Sequence, residues 1–160
     1  MSTKATPKHK ITLYGYWRSS ATWRVRIYLA FKGLEYENKI VSLIKGDQKD
    51  AEFAKLNPMG QIPCLVFEEE GQEPLVLNQS LTIMKFLDMK FPEKTMTPAD
   101  IRTSLKVDEL ALDIVSGIHP LQNLGVCISD DRRYRMDWFC VFCIMSFVLC
   151  SFCMFGVSHH

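Results

Sequence analysis

Apolar and polar residues alternate through ITLYGY, residues 11–16, a stretch rich in β-formers that predicts a strand. The period then lengthens. Trp23, Ile27, Ala30 and Phe31 recur at helical spacing across 20–32, and Gly33 stands where a helix closes in a left-handed residue. YENKIV, 36–41, predicts a second strand, which would make a β-α-β unit with parallel strands and a right-handed crossover. A polar stretch follows, with a short helix near 50–56. The apolar run CLVF begins directly after Pro63, and EEEGQEP separates it from LVLN, so the two runs predict an antiparallel hairpin. From 79 to 91, Leu81, Met84, Phe86, Leu87 and Phe91 lie on or near one helical face, with Ser80 as N-cap and Pro92 as the stop.

A further helix is expected across 97–117. Thr97 can cap it, Pro98 suits the first helical position, Asp100 favours the positive end of the dipole, and Gly117 can end it. The pattern divides the chain into an arm at 1–10, an α/β domain at 11–92 of order β-α-β-α-β-β-α, a helical region from 97 to 126, and a different composition from 127 to 160. No internal repeat is visible.

Composition narrows the function classes. The length, 160 residues, suits one ordinary domain or a small domain with part of another. Nineteen basic side chains against eighteen acidic ones leave a net charge of +1, which gives no reason to expect a nucleic-acid partner. The opening MSTKATPKHK is polar, with no apolar run after it and no small-residue cleavage site, so it predicts neither a secretory signal nor a membrane span. Cys64 is the only cysteine before residue 127, as expected of a reduced, cytoplasmic setting, whereas five more crowd the last stretch.

Four short stretches carry candidate chemistry, because ligand sites in such sheets lie beyond the strand ends, where helices begin. Ser19 and Ser20 stand at the first such turn. Hydroxyls, backbone N–H groups and the helix dipole together can stabilise a thiolate, although one serine acting only as an N-cap explains the pattern equally. At Ile62-Pro63, a cis bond would turn the Ile62 backbone outward to pair with an extended peptide. A trans proline opening an edge strand is the alternative. Gln79 and Ser80 offer an amide, a hydroxyl and free N–H groups suited to an amino-acid carboxylate and its ammonium, and Ser80 as a plain cap competes with that. The fourth stretch, HPLQNL, places Gln122 and Asn123 in an apolar setting.

Taken together, SSATWRVRIYLAFKG, LNPMGQIPCL, LNQSLTIMKFL and IHPLQNLGV follow one another as in the zeta class of glutathione transferases, the group that includes maleylacetoacetate isomerase. The chain resembles that class over about 11–126. The resemblance implies a thioredoxin-like glutathione-binding domain followed by the start of an all-helical domain. It places Ser19 and Ser20 beside the glutathione sulfur, Ile62 with Pro63 against the cysteinyl backbone, Gln79 and Ser80 at the γ-glutamyl end, and Gln48 near the peptide. Gln122 and Asn123 would approach from the helical domain. Arg24 would hold substrate carboxylates or serve as a structural ion-pair partner. The implied chemistry is covalent catalysis by glutathione, whose thiolate adds to the cis double bond of maleylacetoacetate or a related cis-enone or α-halo acid. Rotation and elimination then give the trans product, in tyrosine and phenylalanine breakdown. A family-type homodimer is implied, and a metal is not.

Two features depart from the class. Its Ser-Ser-Cys is Ser19-Ser20-Ala21 here, which predicts that thiol–disulfide side reactions are absent. After Val126 the resemblance stops. Residues 138–157 carry no charge and as a helix would be about 30 Å long, enough to cross a bilayer core, with Arg132, Arg133 and Arg135 just before them. A tail anchor, a zinc site on Cys140, Cys143, Cys150 and Cys153, and a divergent, non-native end that leaves the helical domain truncated are the competing expectations. Zinc lacks turn chemistry and polar neighbours. On the anchored or truncated reading, the chain would be a catalytically impaired glutathione-binding isoform.

Overall fold

The structure is a computed structural model, and it describes residues 9–122, with the side chains of 121 and 122 left aside. Two compact units divide at Pro98/Ala99.

The first unit is built on a four-stranded sheet of order β2-β1-β3-β4. Strand β1 (His9–Gly15) pairs parallel with β2 (Glu37–Ile40) and antiparallel with β3 (Cys64–Glu69), which in turn pairs antiparallel with β4 (Leu75–Leu77). His9 and Lys10, expected in a loose arm, lie in β1 opposite Glu69 and Glu68. Lys10 also reaches Glu37 at 3.1 Å, so cross-strand charge pairing extends the strand past its apolar part.

Strand alternation sorts the core into two layers. Ile11, Leu13, Leu65 and Phe67 face helices α1 (Ser20–Lys32) and α3 (Ser80–Lys90), which contribute Val25, Tyr28, Leu29, Ile83 and Leu87. Cys64 on the opposite face packs with Val41 and with Phe53 from the short helix α2 (Ala51–Leu56), joined by Tyr14, Val66 and Val76. The stripe expected on α1 is out of phase with the buried one. Thr22, Val25, Tyr28, Leu29 and Lys32 are buried, while Trp23 and Phe31 are exposed, because two positions that bury polar groups carry no apolar signal.

Caps also correct the sequence reading. Gln79, not Ser80, is the N-cap of α3 and makes no side-chain cap bond, and Ser80 is the first helical residue. In the second unit, α4 (Ile101–Leu112) starts from Asp100, which accepts from the Thr103 N–H at 2.8 Å, so neither Thr97 nor Pro98 opens it. A π-helical stretch (Asp113–Ile118) and a 3-10 turn (His119–Gln122) follow, with Gly117 inside the former rather than ending a helix. Among the described residues, no helix is long and apolar enough to cross a membrane. The stretch at 138–157 lies outside them.

Candidate functional site

Sheet register brings the predicted segments to one end of the first unit. Tyr14, one residue before the end of β1, pairs with Cys64 at the start of β3, and Leu77 at the end of β4 pairs with Leu65. Gly15 pairs with Ile40 at the end of β2. The segments leading to Ser19, Gln48 and Gln79, and the one running from Ile62 into β3, therefore all join the sheet at this edge.

The first turn is tightly fixed. Ser19 is the N-cap of α1, its Oγ accepting from the Thr22 N–H at 3.2 Å and its own N–H donating to the Tyr16 carbonyl at 3.0 Å. Capping uses an oxygen lone pair, so the hydroxyl proton of Ser19 remains to donate elsewhere. Ser20 opens the helix half-buried. Gly15 is required by close approach: a Cβ there would lie 2.3 Å from the Thr22 methyl, which packs the start of α1 onto β1. Trp23 donates from Nε1 to the Trp17 carbonyl at 2.7 Å and pins the loop from outside, with Arg26 over its ring. Sequence periodicity had assigned Trp23 to the core.

Arg24 and Ser80 join the two helix starts. The guanidinium donates from Nη1 to Ser80 Oγ, and burial lowers the pKa of Arg24 below its ordinary value. Ser80 is buried at 5% exposure, whereas Gln79 beside it is exposed. Because no side chain caps α3, the N–H groups of its first turn stay open for an anion.

The Ile62-Pro63 bond is cis, which decides between the two sequence alternatives. Pro63 is fully buried, and the backbone N–H and C=O of Ile62 have no hydrogen-bond partner among the described residues. Gln48 sits in a 3-10 turn (Asp47–Lys49) packed against the turn before Ile62: Gly60, at φ 60°, leaves only 3.2 Å between a would-be Cβ and the Gln48 carbonyl oxygen. Gln48 Oε1 is buried without a partner among the described residues. Cys64 is a free, buried thiol whose pKa burial pushes up to about 11, so it is no nucleophile. No cluster able to hold a metal occurs among the described residues. The side chain of Gln122 and all of Asn123 lie outside the described residues.

Two asparagines that motif reading passed over, Asn57 and Asn78, also belong to this edge. Asn57 is 2% exposed, an unusual burial for a side-chain amide. The sequence signal that could have found it is its place before Pro58 in a turn-forming run.

Comparison with known proteins agrees with this geometry. Residues 18–90 match the family model for the glutathione S-transferase N-terminal domain. The chain is 49% identical over 131 residues to glutathione S-transferase Z1 of Arabidopsis thaliana, covering 81% of this chain and 57% of that protein. It is 46% identical over 140 residues to a probable maleylacetoacetate isomerase of Vibrio cholerae, covering 80% and 63%. Among solved structures, the maleylacetoacetate isomerase of Anaeromyxobacter dehalogenans with glutathione in its active site aligns with a TM-score of 0.65 at 41% identity, over 74% of this chain and 55% of that one. The chain thus spans little more than half the length of the relatives it matches. It carries the N-terminal domain of the glutathione S-transferase family, and it is also 43% identical over 125 residues to a zeta-class glutathione S-transferase of Euphorbia esula, covering 78% of this chain and 53% of that protein.

Proposed function

We propose that the first unit binds glutathione along this sheet edge, and that the protein acts as a glutathione-dependent isomerase converting maleylacetoacetate to fumarylacetoacetate. The observation that carries the reading is the convergence, at one edge, of donors that differ as the parts of that tripeptide differ. The N–H groups at the start of α3, with the Gln79 amide and the Ser80 hydroxyl, suit the γ-glutamyl carboxylate and ammonium. The unpaired backbone of Ile62 suits the cysteinyl N–H and C=O as an added strand would, and the buried acceptor of Gln48 suits a peptide donor. Ser19 and Ser20, at the neighbouring helix start, would then meet the cysteinyl sulfur.

Bound glutathione supplies a thiolate nucleophile, and the protein's task is to keep the proton off it and to steady negative charge on the substrate. Ser19 and Ser20 donate to the sulfur while the positive end of α1 adds potential. Arg24, committed to Ser80, supports the γ-glutamyl end. That bond favours a structural role for Arg24 over direct contact with substrate carboxylates. Maleylacetoacetate as the substrate, a cytoplasmic setting and a family-type homodimer are parts of the same reading and rest on the zeta-class relatives.

The test is thermal unfolding with and without millimolar glutathione, followed by an isomerase assay on a cis-enone acid. A ligand bound only by the folded state raises the midpoint. Folded protein with no shift overturns the site. A shift without turnover favours a glutathione-binding protein that lacks the isomerase activity.

A further inference from the structure

The C-terminus of α2 is tied to both strand-end segments of the proposed cradle. Asn57 closes that helix, its N–H donating to the Phe53 carbonyl at 2.9 Å. Its side chain then organises the turn that follows: Nδ2 donates to the Gln61 carbonyl at 2.6 Å and Oδ1 accepts from the Met59 N–H at 3.1 Å. The Gly60 N–H returns to the Asn57 carbonyl at 2.9 Å. The bonds of the turn, from Asn57 to Gln61, lie within five residues of Ile62, and the Gln61 carbonyl belongs to the peptide that joins Gln61 to Ile62. From the other side, Asn78 Nδ2 donates to the Leu56 carbonyl at 3.1 Å, one residue before Gln79 begins the γ-glutamyl end.

We infer that Asn57 and Asn78 are positioning residues that use the end of α2 as a common anchor to set the distance between the Ile62 backbone and the Gln79/Ser80 helix start. A tripeptide spanning both must meet two sets of polar groups carried on separate segments, and a small error in either loses hydrogen bonds at the other. Strand pairing alone does not set this spacing, because residues 57–62 and residue 78 lie outside the ladder. The side-chain amide suits the task because one group donates and accepts within the same turn. This inference rests on the glutathione reading and adds residues that touch no ligand.

The test is a ligand-side cycle. Glutathione and an analogue methylated on the cysteinyl amide nitrogen, which cannot donate to the Ile62 carbonyl, are titrated calorimetrically into the full chain and into Asn57→Asp, an isosteric change that removes the donor to Gln61. Wild type is expected to favour glutathione at least tenfold, and Asn57→Asp less than threefold, with its glutathione Kd weakened about tenfold. A role confined to stability lowers the melting temperature and leaves the preference intact, which would overturn the inference. Equal binding of both ligands by wild type would also overturn it. Absence of any glutathione binding by folded wild type instead removes the underlying reading. Asn78→Asp, at a half-buried site, repeats the cycle should Asn57→Asp fail to fold.

Discussion

Helices α1 and α3 lie side by side, and their two ends are built on opposite principles. At the C-terminal end a buried cation and a carboxylate gather their neighbours into one network. Lys32 Nζ, on a side chain 1% exposed, meets Asp88 Oδ1 at 2.8 Å and donates to the carbonyls of Phe91 at 2.8 Å and Lys94 at 2.5 Å. Asp88 also accepts from the Tyr28 hydroxyl, and from Thr97 Oγ1 at 2.7 Å, while Tyr28 accepts from the Met96 N–H at 3.3 Å. At the N-terminal end Arg24 and Ser80 are joined, but the first turn of α3 has no side-chain cap and the Ile62 backbone has no hydrogen-bond partner among the described residues. One end holds the pair together, and the other is the end proposed above to receive glutathione. The comparison teaches that α1 can offer its N-terminus for binding because its C-terminus is anchored elsewhere.

Breaking the closed end should produce the largest effect. Lys32→Met leaves Asp88 and two carbonyls in a largely buried place without their cation, a change that costs about 3–5 kcal/mol. The urea midpoint should fall accordingly, while the folded fraction keeps its glutathione affinity. Acid sharpens the test. Burial pushes the Asp88 carboxyl up, but hydrogen bonds from Lys32, Tyr28 and Thr97 outweigh it and hold the pKa below its ordinary value. Its contribution is therefore present above the unfolded carboxyl pKa, near 4, and is lost as pH falls through the lower folded value. Removing Lys32 should flatten that acid-side loss, and an unchanged acid profile would show that the pair does not act as described. Tyr28, raised to about 12 first by burial and then by Asp88, stays protonated throughout the neutral range.

The open end should respond in binding more than in stability. Ser80→Ala strands a buried guanidinium N–H, at a cost of about 1–3 kcal/mol, and removes a proposed γ-glutamyl contact. Glutathione Kd by calorimetry should weaken by more than the stability loss alone explains. Ser19→Ala removes the cap of α1 for about 1 kcal/mol and should raise the thiol pKa of bound glutathione, read from thiolate absorbance against pH. A normal thiolate titration in Ser19→Ala would reduce Ser19 to a cap.

How much of this was visible in the sequence depends on what each residue's signal records. The order of elements, the hairpin after Pro63 and the Gly33 stop of α1 were legible, since alternation, turn residues and a left-handed glycine at φ 70° are local properties. The buried face of α1 was not, because Thr22 and Lys32 are polar residues whose burial depends on Gly15, at the end of the preceding strand, and on Asp88, on a different helix. The same holds for the start of α3. Ser80 has the composition of a cap, but its hydroxyl faces Arg24, 56 residues away, and the capping position falls to Gln79. The cis bond at Ile62-Pro63 was one of two alternatives that local sequence left open.

The smallest stability effect belongs to the residue that carries most of the chemical claim. Ser20 is half-buried, opens α1 and makes no cap bond, so Ser20→Ala should change stability by no more than about 0.5 kcal/mol. If the N-terminal end is reserved for a sulfur, the same change should raise the pKa of bound glutathione and slow isomerisation at neutral pH, with a rate that recovers as pH rises and thiolate forms unaided. An unchanged pH–rate profile would assign the thiolate to Ser19 and the helix dipole alone. Ala21→Cys, one residue on, separates geometry from chemistry. A cysteine there would stand in the first turn of the helix, where the dipole lowers a thiol pKa, and should add thiol–disulfide exchange with glutathione at little cost in stability. Exchange gained in Ala21→Cys, together with a pH shift in Ser20→Ala, would locate the sulfur at the start of α1 from two independent directions. Exchange absent in a folded Ala21→Cys would place the sulfur away from this turn.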